Sequence, residues 1–220
     1  MDNTFAKRLI NARKMRCISQ RDLCRMVEGK VSPTAIAKYE KGLMMPSSDV
    51  LVVLSQALNM KLDYFFRPFT VAIDSSKFEF RKSSSMGAKK VEAVKCLVCS
   101  EIEKYVEIES ILGSSPAMSL DYSNTLVETD GEAILMALRF RRDMNIGLDA
   151  IASVVELLES AGVKIIEIDH DPSFSGTCNK AGGMPVIVIN RNMPSERKRI
   201  TILHELGHLL MHCAEGVDKE

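Results

Sequence analysis

Helix start and stop signals recur at short, regular intervals through the first 68 residues, leaving room only for short helices. Thr4 is read as the cap of a first helix, with Phe5, Leu9, Ile10 and Ala12 at helical spacing. Ser19 caps a second helix with Leu23 and Met26 turned inward, and Glu28-Gly29-Lys30 breaks it. Ser32-Pro33 opens a third, since a serine cap and a proline in the first position both favour a helix start. Lys41-Gly42 closes that helix. Pro46-Ser47 starts a fourth carrying Val50, Leu51, Leu54, Ala57 and Leu58, and 62–66 forms a last turn before Pro68. Five short helical segments predict a compact all-α domain over 1–68.

Charge divides the chain at the same place. Residues 1–68 hold 12 basic and 6 acidic side chains, and the rest of the 220 residues hold 17 basic and 23 acidic. A basic first third joined to an acidic remainder suits a polyanion-binding module linked to a part with another task. No apolar run approaches a membrane span, and the first residues lack the apolar core of a signal peptide, so a cytoplasmic protein without a membrane partner is expected. The six cysteines are then expected as thiols. Cys96 and Cys99 fall in a helix-patterned segment without a second pair or a histidine partner, and they are read as core. The 13 methionines show no stripe and are read as core filler.

Beyond the first domain, 69–86 reads as a strand-like connector and 87–112 as a helix ended by Gly113-Ser114-Ser115-Pro116. Residues 117–129 read as irregular, and 131–142 and 148–162 as helices. Two apolar runs, 163–168 and 185–189, read as strands, and 196–213 as a final helix capped by Ser195 with Glu196 in its first turn. The expected architecture is an all-α domain (1–68), a connector and helical region (69–145), and an α+β domain (146–220).

Within the first domain, 20–27 and 33–41 have the lengths and turn of a helix-turn-helix, whose second helix places its early residues in the major groove of double-stranded DNA. Ile36 and Tyr39 face inward, which leaves Thr34, Ala37 and Lys38 toward base edges. Gln20, at the start of the preceding helix, is placed to meet a phosphate. The run Ser19-Gln20-Arg21-Asp22-Leu23, then 32–42, Pro46-Ser47 and the leucines after it resembles the phage-repressor-like (Cro/repressor, XRE) domain over 5–66. Cys24 stands where that family usually has alanine, and Glu40 is structural in it. The expected DNA-facing set is Gln20, Arg21, Thr34, Ala37 and Lys38.

In the last helix, His204-Glu205-Leu206-Gly207-His208 spells HExxH. Histidines four apart share a helix face and can hold one Zn²⁺, with the glutamate beside the metal-bound water as general base; a packed pair of core histidines is the alternative. Ile200, Leu203, Leu206, Leu209 and Leu210 are expected to bury the surroundings, and Gly207 to let another backbone pass closely. A helix running to 213 spreads residues 204, 208 and 212 over about 12 Å, too far for one cation, so His212 is not read as a third ligand. His170, between Asp169 and Asp171, is read as a solvated loop residue.

The segments 157–163, 174–176, 185–190 and 197–212 resemble the ImmA/IrrE metallopeptidase domain, a zincin-like fold. The resemblance implies His204 and His208 as zinc ligands, Glu205 as catalytic base, and cleavage of a repressor or antitoxin protein. It also implies an acidic third ligand two to three dozen residues beyond HExxH, so the domain is expected to be truncated after that helix. Three functions stay open: a DNA-binding regulator with an associated zinc endopeptidase, a catalytically inactive transcription factor that uses the domain for sensing or protein contacts, and an antitoxin-like component. Homodimerisation is expected by analogy with other operator-binding domains.

Overall fold

The computed structural model describes residues 3–70, 87–113, 126–170, 172, 174–181 and 183–213. They divide into two compact units, one made of residues up to 70 with 87–103, the other of 104–113 with the residues from 126 onward.

The first unit contains α1 (Thr4–Met15), α2 (Gln20–Met26), α3 (Pro33–Glu40), α4 (Ser48–Leu58), a 3-10 turn (Leu62–Phe65) and the first part of α5 (Ala88–Leu112). Four α-helices and one tighter turn thus fill the five expected helical segments. The Ser19 hydroxyl accepts from the Asp22 N–H at 3.1 Å while the Asp22 carboxylate accepts from the Ser19 N–H at 2.8 Å, a reciprocal cap for α2. Ser32 caps α3 in one direction, its hydroxyl accepting from the Ala35 N–H at 3.1 Å. Gly42, at φ +68°, takes the left-handed conformation that ends α3 beyond Lys41. The core gathers Phe5, Leu9, Leu23, Ile36, Leu54, Leu58 and Phe65.

Two expectations fail here. Asn3 takes the cap position of α1, so Thr4 lies inside the helix, and no side chain caps that end. Met26 is 42% exposed, because the seven residues of α2 bury only Leu23. Met44 and Met45 are also exposed, so methionine is not uniformly core filler.

The second unit contains the rest of α5, β1 (Leu126–Val127), α6 (Asp130–Asp143), α7 (Val154–Ser160), β2 (Lys164–Ile168), β3 (Gly176–Ala181), β4 (Met184–Asn190), α8 (Ser195–Leu210) and β5 (His212–Cys213). Its main sheet has the order β2-β4-β3, with β2 parallel and β3 antiparallel to β4. As the central strand, β4 is buried on both faces, which explains its unbroken apolar run. Helix α8 packs on β3 and β4, and α7 packs on β2 and α8. Met136, Phe140, Leu158, Ile187, Ile189, Ile202 and Leu206 share the core.

Helix α7 begins at Val154 and not near residue 148. The preceding segment gives its carbonyls to arginines: Arg141 donates to the oxygens of Gly147 (2.8 Å) and Asp149 (3.0 Å), and Arg199 to those of Ile151 and Ala152. Ser153 then caps the helix through the Glu156 N–H at 3.2 Å. Strand β3 went unpredicted; Thr177, Asn179 and Lys180 give it a polar composition, and it is strand by virtue of pairing with β4. Two residues read as irregular, Leu126 and Val127, form β1 against β5. The helix expected over 196–213 stops at Leu210, where Met211 turns extended (φ −115°, ψ 128°). Pro194, not Ser195, occupies its cap position, and no side chain caps it.

The expected connector beyond Thr70, most of the irregular stretch before Leu126, and Asp171 lie outside the described residues. Among the described residues no helix is long and apolar enough to cross a membrane.

Candidate nucleic-acid interface and metal helix

In the first unit, α3 is anchored from within. Ile36, Tyr39 and Glu40 are buried, while Thr34 and Lys38 are exposed and Ala37 is half-buried. The anchor is partly electrostatic. Arg13 of α1 donates to both Glu40 oxygens, at 2.6 and 2.9 Å, and its Nη1 donates to the Ile18 carbonyl at 2.9 Å. Gln20 joins the cluster, its Nε2 donating to Glu40 at 2.7 Å. The amide of Gln20 is therefore held by a carboxylate at the α2–α3 contact, while Arg21, one position on, is exposed. The family resemblance implied a structural Glu40, but its partner Arg13 was missed. A lone acid among inward-facing residues was the available signal.

Such an arrangement ties α1, α2 and α3 together through side-chain charge. Arg13 and Glu40 are mostly buried (14% and 6% side-chain exposure), so each needs the other to offset lost hydration. The outer side of α3 is left available for a long groove.

In the second unit, α8 sets its buried face with Ile202, Glu205, Leu206 and Leu210. His204 is exposed and His208 half-buried, one turn apart. Their Nε2 atoms lie 3.1 Å apart, with ring planes at 87°. Metal–nitrogen bonds of about 2.0–2.1 Å in a tetrahedral shell separate two ligand nitrogens by roughly 3.3 Å, so the pair fits two corners of one cation's shell. Among the described residues no group of three His, Cys, Asp or Glu side chains is placed to hold a metal.

Glu205 does not share the exposure of His204: it is 6% exposed, and its Cγ lies toward Gly176 of β3. Gly176 makes that packing close. A Cβ there would stand 2.7 Å from the Thr201 methyl, 3.0 Å from the Val188 carbonyl oxygen and 3.6 Å from the Glu205 Cγ, so only glycine lets β3 and α8 approach. This glycine was noted in the sequence only as part of a segment resemblance.

Three expectations about α8 are corrected. Ile200 is 69% exposed and Leu203 36%, because they lie on the His204 side of the helix, away from the sheet. Gly207 faces no passing backbone among the described residues; only the Met211 methyl would meet a Cβ there, at 3.2 Å. Because α8 ends at Leu210, the helical-rise argument against His212 no longer applies, and the side chain of His212 lies outside the described residues. His170 is half-buried, edge-on to Phe174 at 6.0 Å, and not a solvated loop residue.

Of the cysteines, Cys96 is buried and Cys99 half-buried on α5, with burial raising their thiols to about 11 and about 12.

An anchored, outward-facing α3 after a tight turn, and a two-histidine helix laid on a mixed sheet, describe a helix-turn-helix protein carrying a peptidase-like unit. Family comparison agrees on both parts. A helix-turn-helix model matches residues 9–65, and an IrrE N-terminal-like domain model matches 158–217. The chain thus joins an XRE-type region to an IrrE N-terminal-like region. Comparison with curated proteins and with solved structures gave no match.

Proposed function

We propose that this chain is a sequence-specific, cytoplasmic DNA-binding regulator whose second unit derives from a zinc endopeptidase that acts on a repressor or antitoxin protein. The observation that carries the DNA reading is the split of α3: Ile36, Tyr39 and Glu40 lock one side while Thr34 and Lys38 stand free for the major groove. Thr34 can pair with a base edge or touch a thymine methyl, and Lys38 can reach guanine or phosphate. Arg21 adds backbone charge at the start of α2. Operator fragments selected from genomic DNA test this reading by fluorescence anisotropy. Lys38→Ala is expected to weaken binding roughly tenfold, about 1.4 kcal/mol; affinity unchanged across a salt series would remove the groove assignment.

For the second unit, His204 and His208 supply two zinc ligands, and bound zinc supplies Lewis acidity toward a peptide carbonyl and water. Glu205 would be the general base: its carboxylate takes a proton from the attacking water as the water oxygen bonds to the peptide carbonyl carbon, and gives it to the amine nitrogen as the C–N bond breaks. The buried side of α8 screens that carboxylate from bulk water. A second reading, in which the unit acts by protein contact without cleavage, is favoured by the two-donor set found among the described residues. Zinc retention after dialysis separates the two. Retained zinc that is lost with His204→Ala is expected of the catalytic reading; weak binding that dialysis removes would favour the second.

A further inference from the structure

An open cavity of about 460 Å³ lies between the end of α1, the start of α2 and the first turn of α5, and four cationic side chains stand among its lining residues. Arg13, Lys14, Arg21 and Lys89 face it with a single carboxylate, that of Glu92. Two of these cations are already committed. Arg13 holds Glu40, and Lys14 pairs with Glu92 at 2.6 Å, which also neutralises the one acid in the lining. Arg21 and Lys89 are exposed, and neither side chain makes an ion pair among the described residues. Both line one concave surface.

Lys89 sits outside the helix-turn-helix match, which ends at residue 65. Its turn of α5 is nonetheless held against the α1–α2 corner. The Lys14–Glu92 bridge spans one side, and the Cys17 Sγ lies 3.9 Å from the Lys89 carbonyl oxygen on the other. The corner also contains Ser19 and Gln20, the start of the first helix of the motif. A duplex read by α3 brings its sugar-phosphate strand past that helix start.

We propose that Lys89 of α5 is a DNA-backbone contact, which with Arg21 grips a phosphodiester at this cavity and widens the footprint beyond the helix-turn-helix itself. The proposal rests on the DNA-binding reading above. Two exposed cations that make no ion pair among the described residues, on one concave surface, suit a phosphate, whose negative charge they neutralise as condensed counterions are released. Such a contact carries no base information and strengthens binding to every sequence alike.

The test is anisotropy titration of a short, labelled mixed-sequence duplex with the full chain over a salt series, using wild type, Lys89→Ala, Lys89→Arg, Lys38→Ala and Lys61→Ala. Lys61 is an exposed lysine of the same unit that does not line the cavity. Lys89→Ala is expected to weaken binding several-fold and to lower the slope of log affinity against log salt by about 0.9. Lys89→Arg and Lys61→Ala should keep wild-type behaviour. If Lys89→Ala matches wild type while Lys38→Ala weakens binding, the α5 contact is overturned and the DNA reading stands. If wild type binds no duplex, both fall. A parallel arm follows thermal shift with inorganic phosphate. A shift that needs Lys89, with duplex affinity untouched by Lys89→Ala, would assign the cavity to a free anion and overturn the proposal.

Discussion

Arg8 and Glu103, 95 positions apart in sequence, meet in a buried two-pronged ion pair with both nitrogen–oxygen distances at 2.6 Å. The guanidinium also donates to the carbonyls of Arg67 (2.9 Å) and Pro68 (2.8 Å) and stacks 3.9 Å from the Phe69 ring centroid. The Thr70 N–H reaches the same carboxylate at 3.2 Å. One pair thus joins α1, the chain after the 3-10 turn, and α5. Glu103→Ala would leave Arg8 buried without its counter-charge and is expected to cost about 3–5 kcal/mol in urea unfolding. Arg8→Met combined with Glu103→Leu should recover most of that loss. A loss below about 1 kcal/mol for Glu103→Ala would contradict the assigned burial.

The cap of α2 makes its own prediction. Hydrogen bonds from Ser19 and Arg25 hold the Asp22 carboxyl at about 2, below its ordinary 3.8. A depressed carboxyl stabilises the fold fully above the unfolded value and loses that contribution as pH falls through the folded value. The Asp22 contribution should therefore be complete above pH 3.8 and fade toward pH 2. An NMR titration of Asp22 reads this directly, and a midpoint near the ordinary value would refute the reciprocal cap.

Gly176→Ala should strain the contact between β3 and α8. Overpacking of this kind costs about 1–3 kcal/mol. Because the added methyl meets Thr201 first, Gly176→Ala combined with Thr201→Ser should regain part of the loss. Thermal melts of the three proteins decide it, and an unchanged Gly176→Ala melt would show that the helix yields freely.

Alkylation by iodoacetamide at mildly alkaline pH should modify the exposed Cys17 before Cys96 and Cys99. Burial holds those two as thiols up to about 11 and about 12, and the thiolate is the reacting form. Peptide mapping over time measures the order; early labelling of Cys96 would mean that α5 opens readily.

Local signals were legible in the sequence where local chemistry decides the structure. Ser19, Ser32 and Gly42 set helix ends through contacts a few residues long, and the apolar run of β4 announced a strand buried on both faces. Failures came where a distant partner decides. Strand β3 exists through its pairing with β4, and α7 starts late because Arg141 and Arg199 take the carbonyls before it. Within the candidate sites, the four-residue spacing of His204 and His208 foretold nitrogens that converge. Spacing could not tell that Ile200 and Leu203 face outward, since which side of α8 meets the sheet is a tertiary matter. Arg13 and Glu103 stayed hidden for the same reason: ion pairs across 27 and 95 positions leave no periodic trace.

Strand β5 follows one residue after α8 and, among the described residues, pairs with β1, joining position 212 to position 126. Such a pairing closes a loop far longer than the hairpin of β3 and β4, at an added entropic cost that grows slowly with length. This seam should knit late as the second unit folds and loosen early when it is stressed. The end of α8, two residues past His208, would then open before the central sheet does, and amide exchange there should outpace exchange in β4.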